Sequence, residues 1–484
     1  MRGLLALGAH LPHRRLDRAT IAAVAGGGGG TGTRTVAGYD EDATTLAVEA
    51  ARTALRGHAG PAPAALWFST TTPPYADRTN ATAIHAALRL PADAVAADFG
   101  GAARSSVAAL RAALAGGGPT LVVAGDVRPG LPGSAEEAAA GDAGAAVLVG
   151  EEAEGAPVLA ELLGMAARTE EILDRWRVPG EVRTHQWEER FGETRYRPLG
   201  GAAWDDALAA AGLESGDVDR VVVASPHARA ARAVAKDLGL AAGVVADDRV
   251  ATVGNPGATQ PLLLLAAAME EATSGQVIVL LSLADGADAL VFRTTEAVAT
   301  HQPARPVAAQ VAGGAPVPYP TYLRWRGLLA TEPPRRPEPA RPSASAAARN
   351  GDWKFGFVAS QDRATGAVHM PPARAPMGGG PIDDMEPRPM ADAVGTVVTS
   401  TVDRLAHSPS PPVVFAVVDF DGGGRLPVEL TDCDAGEVGI GVRVEMTFRR
   451  LFTADGIANY FWKARPQRAA DGSAVTAAAP AAAG

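Results

Sequence analysis

The sequence predicts an α/β domain built on a duplicated plan, followed by a small β-barrel. Three observations predict it. Short, apolar, β-branched runs alternate with Ala-rich helical patterns from residue 1 to about residue 295. The order of strand, helix and Gly-rich segment that ends in AAVLVG at 145–150 returns in the second half and ends in ADALVFR at 287–293. Beyond residue 350 the apolar period drops to two, and turn-forming residues punctuate it.

The elements follow in order. Residues 66–69, 120–124, 145–149, 220–224 and 276–282 read as buried strands, because they are continuous apolar runs rather than alternating ones. Residues 42–55, 104–114, 203–211, 228–238 and 261–273 carry helical patterns between them. The first domain is expected to span 1–328. A Pro-, Ser-, Ala- and Arg-rich stretch, 329–352, lacks apolar periodicity and reads as a linker stiffened by proline. Strands are predicted at 395–402, 412–420, 425–430, 442–449 and 459–463, with turns at 421–424 and 432–436. The Ala-rich tail, 467–484, has no amphipathic pattern and is expected to be unstructured.

Bulk properties exclude several classes. The chain has 484 residues, a hydrophobic content of 47% and a formal net charge of −10, so no basic surface dominates and nucleic acid is not the expected partner. A single cysteine, Cys433, excludes an intrachain disulfide and any multi-cysteine metal site. The apolar stretch at 3–9 is too short for a signal peptide core, and no run approaches the length of a membrane span. A cytoplasmic protein without membrane contact is the expectation.

Four segments carry a resemblance. They are GYDEDATTLAVEAARTAL (38–55), TTTPPYADRTNAT (70–82), ADFGGAARSSVAAL (97–110) and VGNPGATQPLLLLAAAME (253–270). Together they are similar to the hydroxymethylglutaryl-CoA synthase family, over most of residues 1–300. The resemblance implies the thiolase-like fold, a duplicated five-layer αβαβα domain. It also implies a homodimer and an acyl-CoA ligand, with coenzyme A entering as part of the substrate and no other cofactor. VVDFDGGGRLPVELTD (417–432) and IANYFWKARP (457–466) resemble OB-fold domains associated with acyl-CoA enzymes. The OB-fold domain is placed at 381–466. Residues 353–380 resemble the zinc ribbon that precedes such a barrel. Its ligand positions fall at Asp362, Thr365, Pro376 and Gly379, and His369 alone cannot hold zinc. No structural zinc is expected, and Trp353, Phe355 and Phe357 are expected to hold this segment by packing.

The chemistry implied by the resemblance is incomplete in this chain. The family's acyl-accepting cysteine falls at Ala103, and its general acid/base glutamate at Thr71, whose hydroxyl does not titrate near neutral pH. Ser105 and Ser106 follow Ala103, but a helix turns about 100° per residue, so neither points where residue 103 points. His227, opening a helix after a strand, is the expected acid/base or carbonyl-polarising group, and Asn255 the expected oxyanion donor. Tyr75, in the substrate-loop segment, is a further acid or base; Tyr196 and Tyr319 are weaker alternatives. Thr71, Ala103, Gly141 and Gly254 are expected to line the substrate site, and no metal ligand is expected. Two functions stay open. One is an enzyme that makes or breaks a carbon–carbon bond on an acyl-CoA without a cysteine. The other is a non-catalytic acyl-CoA-binding scaffold, or a partner of a thiolase-type subunit.

Overall fold

The computed structural model describes residues 1–241, 243–469 and 473–477. By contacts the chain divides into two units. The first holds residues 1–37, 42–84 and 90–322; the second holds 38–41, 85–89 and the chain from Leu323 onward. Composition placed the boundary a few residues later, at 328. No helix among the described residues is long and apolar enough to cross a membrane.

The main sheet of the first unit is built of β1 (Arg2–His10), β2 (Ala65–Thr70), β3 (Val95–Gly100), β4 (Thr120–Asp126), β5 (Ala143–Glu151), β6 (Ala160–Thr169), β7 (Arg220–Ala224), β8 (Val277–Leu283) and β9 (Gly286–Thr294). They join in the order β7-β8-β9-β6-β1-β5-β4-β2-β3. The duplication is explicit in the strand senses. In one half β2 runs parallel to β4, β4 antiparallel to β5 and β5 antiparallel to β1. In the other, β7 runs parallel to β8, β8 antiparallel to β9 and β9 antiparallel to β6. The unit's larger helices are α1 (Ala43–Leu55), α2 (Ser105–Ala115), α3 (Glu189–Ala211), α4 (Ala228–Asp237) and α5 (Gln260–Glu270). α1 packs on β1, β4 and β5, and α3 on β6, β8 and β9. α2 and α5 touch each other and share one apolar core with β1, β5, β7 and β8. Layers of this kind arise because each sheet face and helix stripe is apolar and must be covered.

α3 is the largest departure from the predicted elements. It begins 14 residues before the predicted 203, with Pro198 inside it. Pro198, Gly200 and Gly201 erase the helical signal locally. Tyr196, Ala203, Trp204, Ala207 and Leu208 are buried in the core with β7–β9, and that packing outweighs the weak propensity.

In the second unit β10 (Val394–Asp403), β11 (Val413–Phe420), β12 (Arg425–Leu430), β13 (Arg443–Ala454) and β14 (Ile457–Pro466) close into a barrel in the order β10-β11-β12-β14-β13. Burial alternates along β12, as a half-buried strand requires. Before the barrel, three strands (Val358–Asp362, Val368–His369 and Met385–Pro389) form a small sheet. Phe357 stacks on Trp353 at 5.0 Å and on Trp462 at 5.6 Å, and Trp462 Nε1 donates to the Phe355 carbonyl at 2.8 Å. The stretch expected to be a linker carries a short helix, Ala344–Arg349, capped by Ser343.

Part of the tail expected to be unstructured is ordered. Val475 N donates to Gln467 O at 2.8 Å, Arg443 N to Val475 O at 2.8 Å, and Ala477 N to Gly441 O at 2.7 Å. Backbone pairing of this kind needs no amphipathic side chains, which is why composition missed it. The remainder of that expectation, at 470–472 and 478–484, lies outside the described residues.

Candidate functional site

A cavity of about 730 Å³ opens in the first unit, at the ends of β2 and β3 and before α2. Thr71, Tyr75 and Ala103 line it. The loop after β2 is held in place by two carboxylates. Asp98, on β3, accepts from Asn80 N at 2.7 Å, Asn80 Nδ2 at 3.0 Å and Ala81 N at 2.8 Å. Asn80 in turn accepts from Tyr75 N at 3.2 Å and donates to Tyr75 O at 3.0 Å, which fixes the turn that carries Tyr75. Asp126, fully buried at the end of β4, accepts from the hydroxyls of Thr70, Thr71 and Thr72 at 2.8, 3.1 and 3.2 Å. It also accepts from Thr71 N at 2.6 Å and Ala258 N at 2.7 Å. Burial pushes the Asp126 carboxyl above its ordinary range, against the pull of Arg128 and these donors.

At Ala103 the wall carries only a methyl group. Ser105 Oγ accepts from Ala102 N at 3.2 Å and donates to Gly100 O at 3.0 Å, so it closes the turn into α2. Neither Ser105 nor Ser106 lines the cavity.

The other wall comes from the segment between β6 and α3, which the sequence reading passed over. A two-residue pairing of Arg175–Trp176 with His185–Gln186 and stacking of Trp176 on His185 at 5.4 Å shape it. It brings Asp174, Arg175, Trp176 and Arg177 to the cavity. The signal that could have found it is the density of charge and tryptophan in DRWR at 174–177, between a strand and a helix. Asp174 Oδ1 accepts from Tyr196 Oη at 3.4 Å, and Tyr196 Oη accepts from Asp285 N at 3.2 Å. Tyr196 and Asp285 also line the cavity. Burial pushes both the Asp174 and Asp285 carboxyls up; the nearby His227 counters this at Asp174, whereas Asp174 reinforces it at Asp285.

His227 is buried, 5% exposed, and stands behind Asp174 and Tyr196 rather than in the lining. It caps α4: Nδ1 accepts from Ala230 N at 3.1 Å. The neutral ring therefore carries its proton on Nε2. That nitrogen is buried and has no hydrogen-bond partner among the described residues. It and Asp174 Oδ2 face the same bare backbone, for a Cβ on Gly192 would lie 2.7 Å from His227 Nε2 and 3.2 Å from Asp174 Oδ2.

Three of the expected site residues stand elsewhere. Asn255 spends both amide protons inside the protein, on Ser225 O at 2.8 Å and Gln260 Oε1 at 3.0 Å, and takes Gly257 N at 2.9 Å. It holds a turn and is outside the lining. Gly141 and Gly254 are outside it too. Their backbones touch: a Cβ on Gly141 would come 2.1 Å from Val253 O, and one on Gly254, at φ +87°, 2.2 Å from Ala140 O. Only glycine permits that approach. Tyr319, the weaker alternative, donates to Glu137 at 3.0 Å in a separate buried cluster. Among the described residues no group of three or more His, Cys, Asp or Glu could hold a metal ion.

Comparisons with known proteins agree with this architecture. Residues 388–449 match the family described as ChsH2, C-terminal OB-fold domain, and residues 208–293 match 3-oxoacyl-[acyl-carrier-protein] synthase III C terminal. Among solved structures, MvaS in complex with 3-hydroxy-3-methylglutaryl coenzyme A superposes with a TM-score of 0.55 at 22% identity, covering 71% of this chain and 94% of that one. The 3-oxoacyl-(acyl carrier protein) synthase III of Pseudomonas aeruginosa PAO1 superposes with 0.52 at 21% identity, covering 61% and 98%. The first unit thus has the thiolase-like fold, and a closed OB-type barrel follows it. Hydroxymethylglutaryl-CoA synthase of Methanopyrus kandleri is 30% identical over 313 residues, 61% of this chain and 88% of that protein. The Archaeoglobus fulgidus enzyme is 30% identical over 349 residues, 67% of this chain and 98% of that protein. The chain belongs to the hydroxymethylglutaryl-CoA synthase family.

Proposed function

We propose that this protein handles acyl-CoA thioesters and makes or breaks a carbon–carbon bond beside the thioester carbonyl, without an acyl-cysteine intermediate. The observation that carries the reading is the cavity itself. Its wall joins Ala103 and Thr71, where the family resemblance puts the nucleophile and the acid/base group, to Asp174 and Tyr196. With no thiol, the acyl group stays on coenzyme A. In the cleavage direction Asp174 accepts the proton of a β-hydroxyl. The adjacent carbon–carbon bond breaks to give a carbonyl product. Its electron pair forms the thioester enolate, and the enolate carbon takes the proton back from Asp174. Condensation is the same path reversed. Tyr196 holds Asp174 by a hydrogen bond. His227, with its proton on Nε2 beside Asp174, is a positioning residue. Tyr75 is available in the lining as a second acid. A cytoplasmic homodimer belongs to this reading, with coenzyme A as part of the substrate.

A second reading is a non-catalytic acyl-CoA-binding scaffold, or a partner of a thiolase-type subunit. The engaged amide of Asn255 favours it, because that side chain has no proton left for an oxyanion.

Turnover of an acyl-CoA panel that includes branched β-hydroxyacyl-CoA, followed by mass spectrometry, separates the two. The enzyme reading expects product with the wild type and a loss of about 10²–10⁴-fold with Asp174→Asn, with a smaller loss for His227→Ala. Binding of acyl-CoA with no turnover in any variant would leave the scaffold.

A further inference from the structure

A carbon–carbon bond that breaks beside a thioester leaves negative charge on the carbonyl oxygen, and that charge needs a hydrogen-bond donor. Asn255 has no amide proton to offer. The cavity wall holds another group that can donate. β8 passes into β9 through the turn Ala284–Asp285, closed by Ala284 N donating to Gly286 O at 3.1 Å. Asp285 sits there at φ +48°, a conformation that aspartate tolerates better than most residues. Ala284 and Asp285 both line the cavity. Two contacts fix this turn in the wall. On one side Arg104, the neighbour of Ala103, donates from Nη1 to Asp285 O at 2.7 Å. On the other, Asp285 N donates to Tyr196 Oη at 3.2 Å, and Tyr196 Oη donates to Asp174 Oδ1 at 3.4 Å. The turn is thereby tied both to the bare wall at Ala103 and to the carboxylate that handles the moving proton.

These contacts use the backbone of Asp285 and leave its side chain. The carboxyl makes no hydrogen bond or ion pair among the described residues and is open to the cavity. Arg104 is engaged elsewhere: Nε pairs with Asp288 Oδ2 at 2.7 Å, Nη1 also donates to Thr169 Oγ1 at 3.0 Å, and Nη2 donates to Arg168 O at 3.3 Å. The two carboxyls of the wall have opposite surroundings. Enclosure by the wall, then Asp174, then Glu171 favour the neutral form of Asp285, against Arg104. At Asp174, His227, the Tyr196 hydroxyl and Arg175 work against burial and favour the ionised form. Environments that separate two carboxyls in this way assign one as acid and the other as base.

We propose that Asp285 is a second catalytic residue of this cavity: as a neutral acid it donates a hydrogen bond to the thioester oxygen while the enolate forms, and Asp174 carries the proton that moves. The proposal rests on the carbon–carbon reading above. In cleavage the electron pair of the breaking bond delocalises onto the thioester oxygen. The Asp285 O–H donates to that oxygen, and its proton stays on the carboxyl throughout.

Hydrogen–deuterium exchange at the carbon next to the thioester tests this, because protonation of the enolate run backwards is removal of that proton by Asp174. The full chain is incubated in D2O with acetyl-CoA, propionyl-CoA and butyryl-CoA, and mass spectrometry reads the deuterium gained. The wild type is expected to exchange, more slowly at high pH as Asp285 loses its proton and at low pH as Asp174 gains one. Asp285→Ala should slow exchange about 10²–10³-fold, the loss of one oxyanion donor, with acyl-CoA affinity and melting temperature unchanged. Asp285→Asn keeps a neutral donor of similar size and preserves the turn. It should exchange faster than Asp285→Ala and lose the high-pH limb. Exchange in Asp285→Ala equal to the wild type, or a high-pH limb that persists in Asp285→Asn, overturns the role of Asp285 and leaves the carbon–carbon reading standing. Absence of exchange in the wild type with all three thioesters overturns that reading and the proposal with it.

Discussion

Asp126 and Asp174 are buried carboxylates and Glu270 is a half-buried one, and the three have different tasks. Asp126 is structural: five donors from Thr70, Thr71, Thr72 and Ala258 converge on it. Asp126→Ala leaves several of them without an acceptor, and at about 1–3 kcal/mol for each buried unsatisfied group urea unfolding should show a loss of about 3 kcal/mol or more. Asp174 faces the cavity. Since burial raises its carboxyl, turnover that uses it as a base should fall with decreasing pH at a higher pH than an ordinary carboxylate would show. Asp174→Asn should abolish that limb of the pH profile. Gly192 keeps His227 and Asp174 at their spacing, so Gly192→Ala, whose Cβ would lie 2.7 Å from the imidazole, is expected to lower kcat at least about 10-fold. Glu270 accepts from Val307 N at 2.8 Å, and burial pushes it from 4.5 up to about 7. The folded state therefore holds this proton more tightly than the unfolded chain. The stability it contributes is complete below about pH 4.5 and is lost as pH rises through about 7. In Glu270→Gln, whose amide oxygen can still accept from Val307, the melting temperature should decline less between pH 5 and 8 than in the wild type.

At the scale of elements, local rules and tertiary packing divide the work. α1 starts where the sequence said, because Asp42 accepts from Thr45 N at 3.0 Å and Thr45 Oγ1 accepts from Asp42 N at 2.9 Å, a reciprocal cap. Asp42→Ala should cost about 1 kcal/mol in chemical denaturation. β2, β4, β7 and β8 were legible as apolar runs because both their faces are covered. α3 was only half legible, since its N-terminal part owes its helicity to neighbours distant in sequence. The segment at 174–187 was not legible at all. It has almost no regular structure, and its meaning comes from the wall it lies against.

At the scale of the molecule, each unit has its own polar interior as well as its own core. In the second unit Lys463, fully buried, pairs with Asp40 at 3.0 Å and with Glu429, and lies 4.8 Å from the centre of the Tyr39 ring. Burial would lower its pKa; Asp40, Tyr39 and Glu429 outweigh it and raise it. Arg449 is likewise buried between Glu41 and Asp432. Such pairs add little net stability, but removing one partner strands the other in a dry interior. Lys463→Met should therefore destabilise the chain by about 3–5 kcal/mol, read as a lower urea midpoint.

The sequence by itself determined the class of each unit, pointed to a repeated α/β plan, and put an alanine at 103 and a threonine at 71, where the family resemblance expects a thiol and an acid. Periodicity and side-chain identity are local properties, and they survive without coordinates. Only the tertiary structure decided what stands around those two positions. It placed Tyr75 in the cavity wall and His227 behind it. It spent the amide of Asn255 on a turn and gave Gly141 and Gly254 to a backbone contact. It brought Asp174, Arg175 and Arg177 to the site from a segment about 70 residues beyond Ala103. A side chain's chemistry is written in the sequence; which atoms it faces, and whether its hydrogen bonds are already spent, is fixed only when distant segments pack.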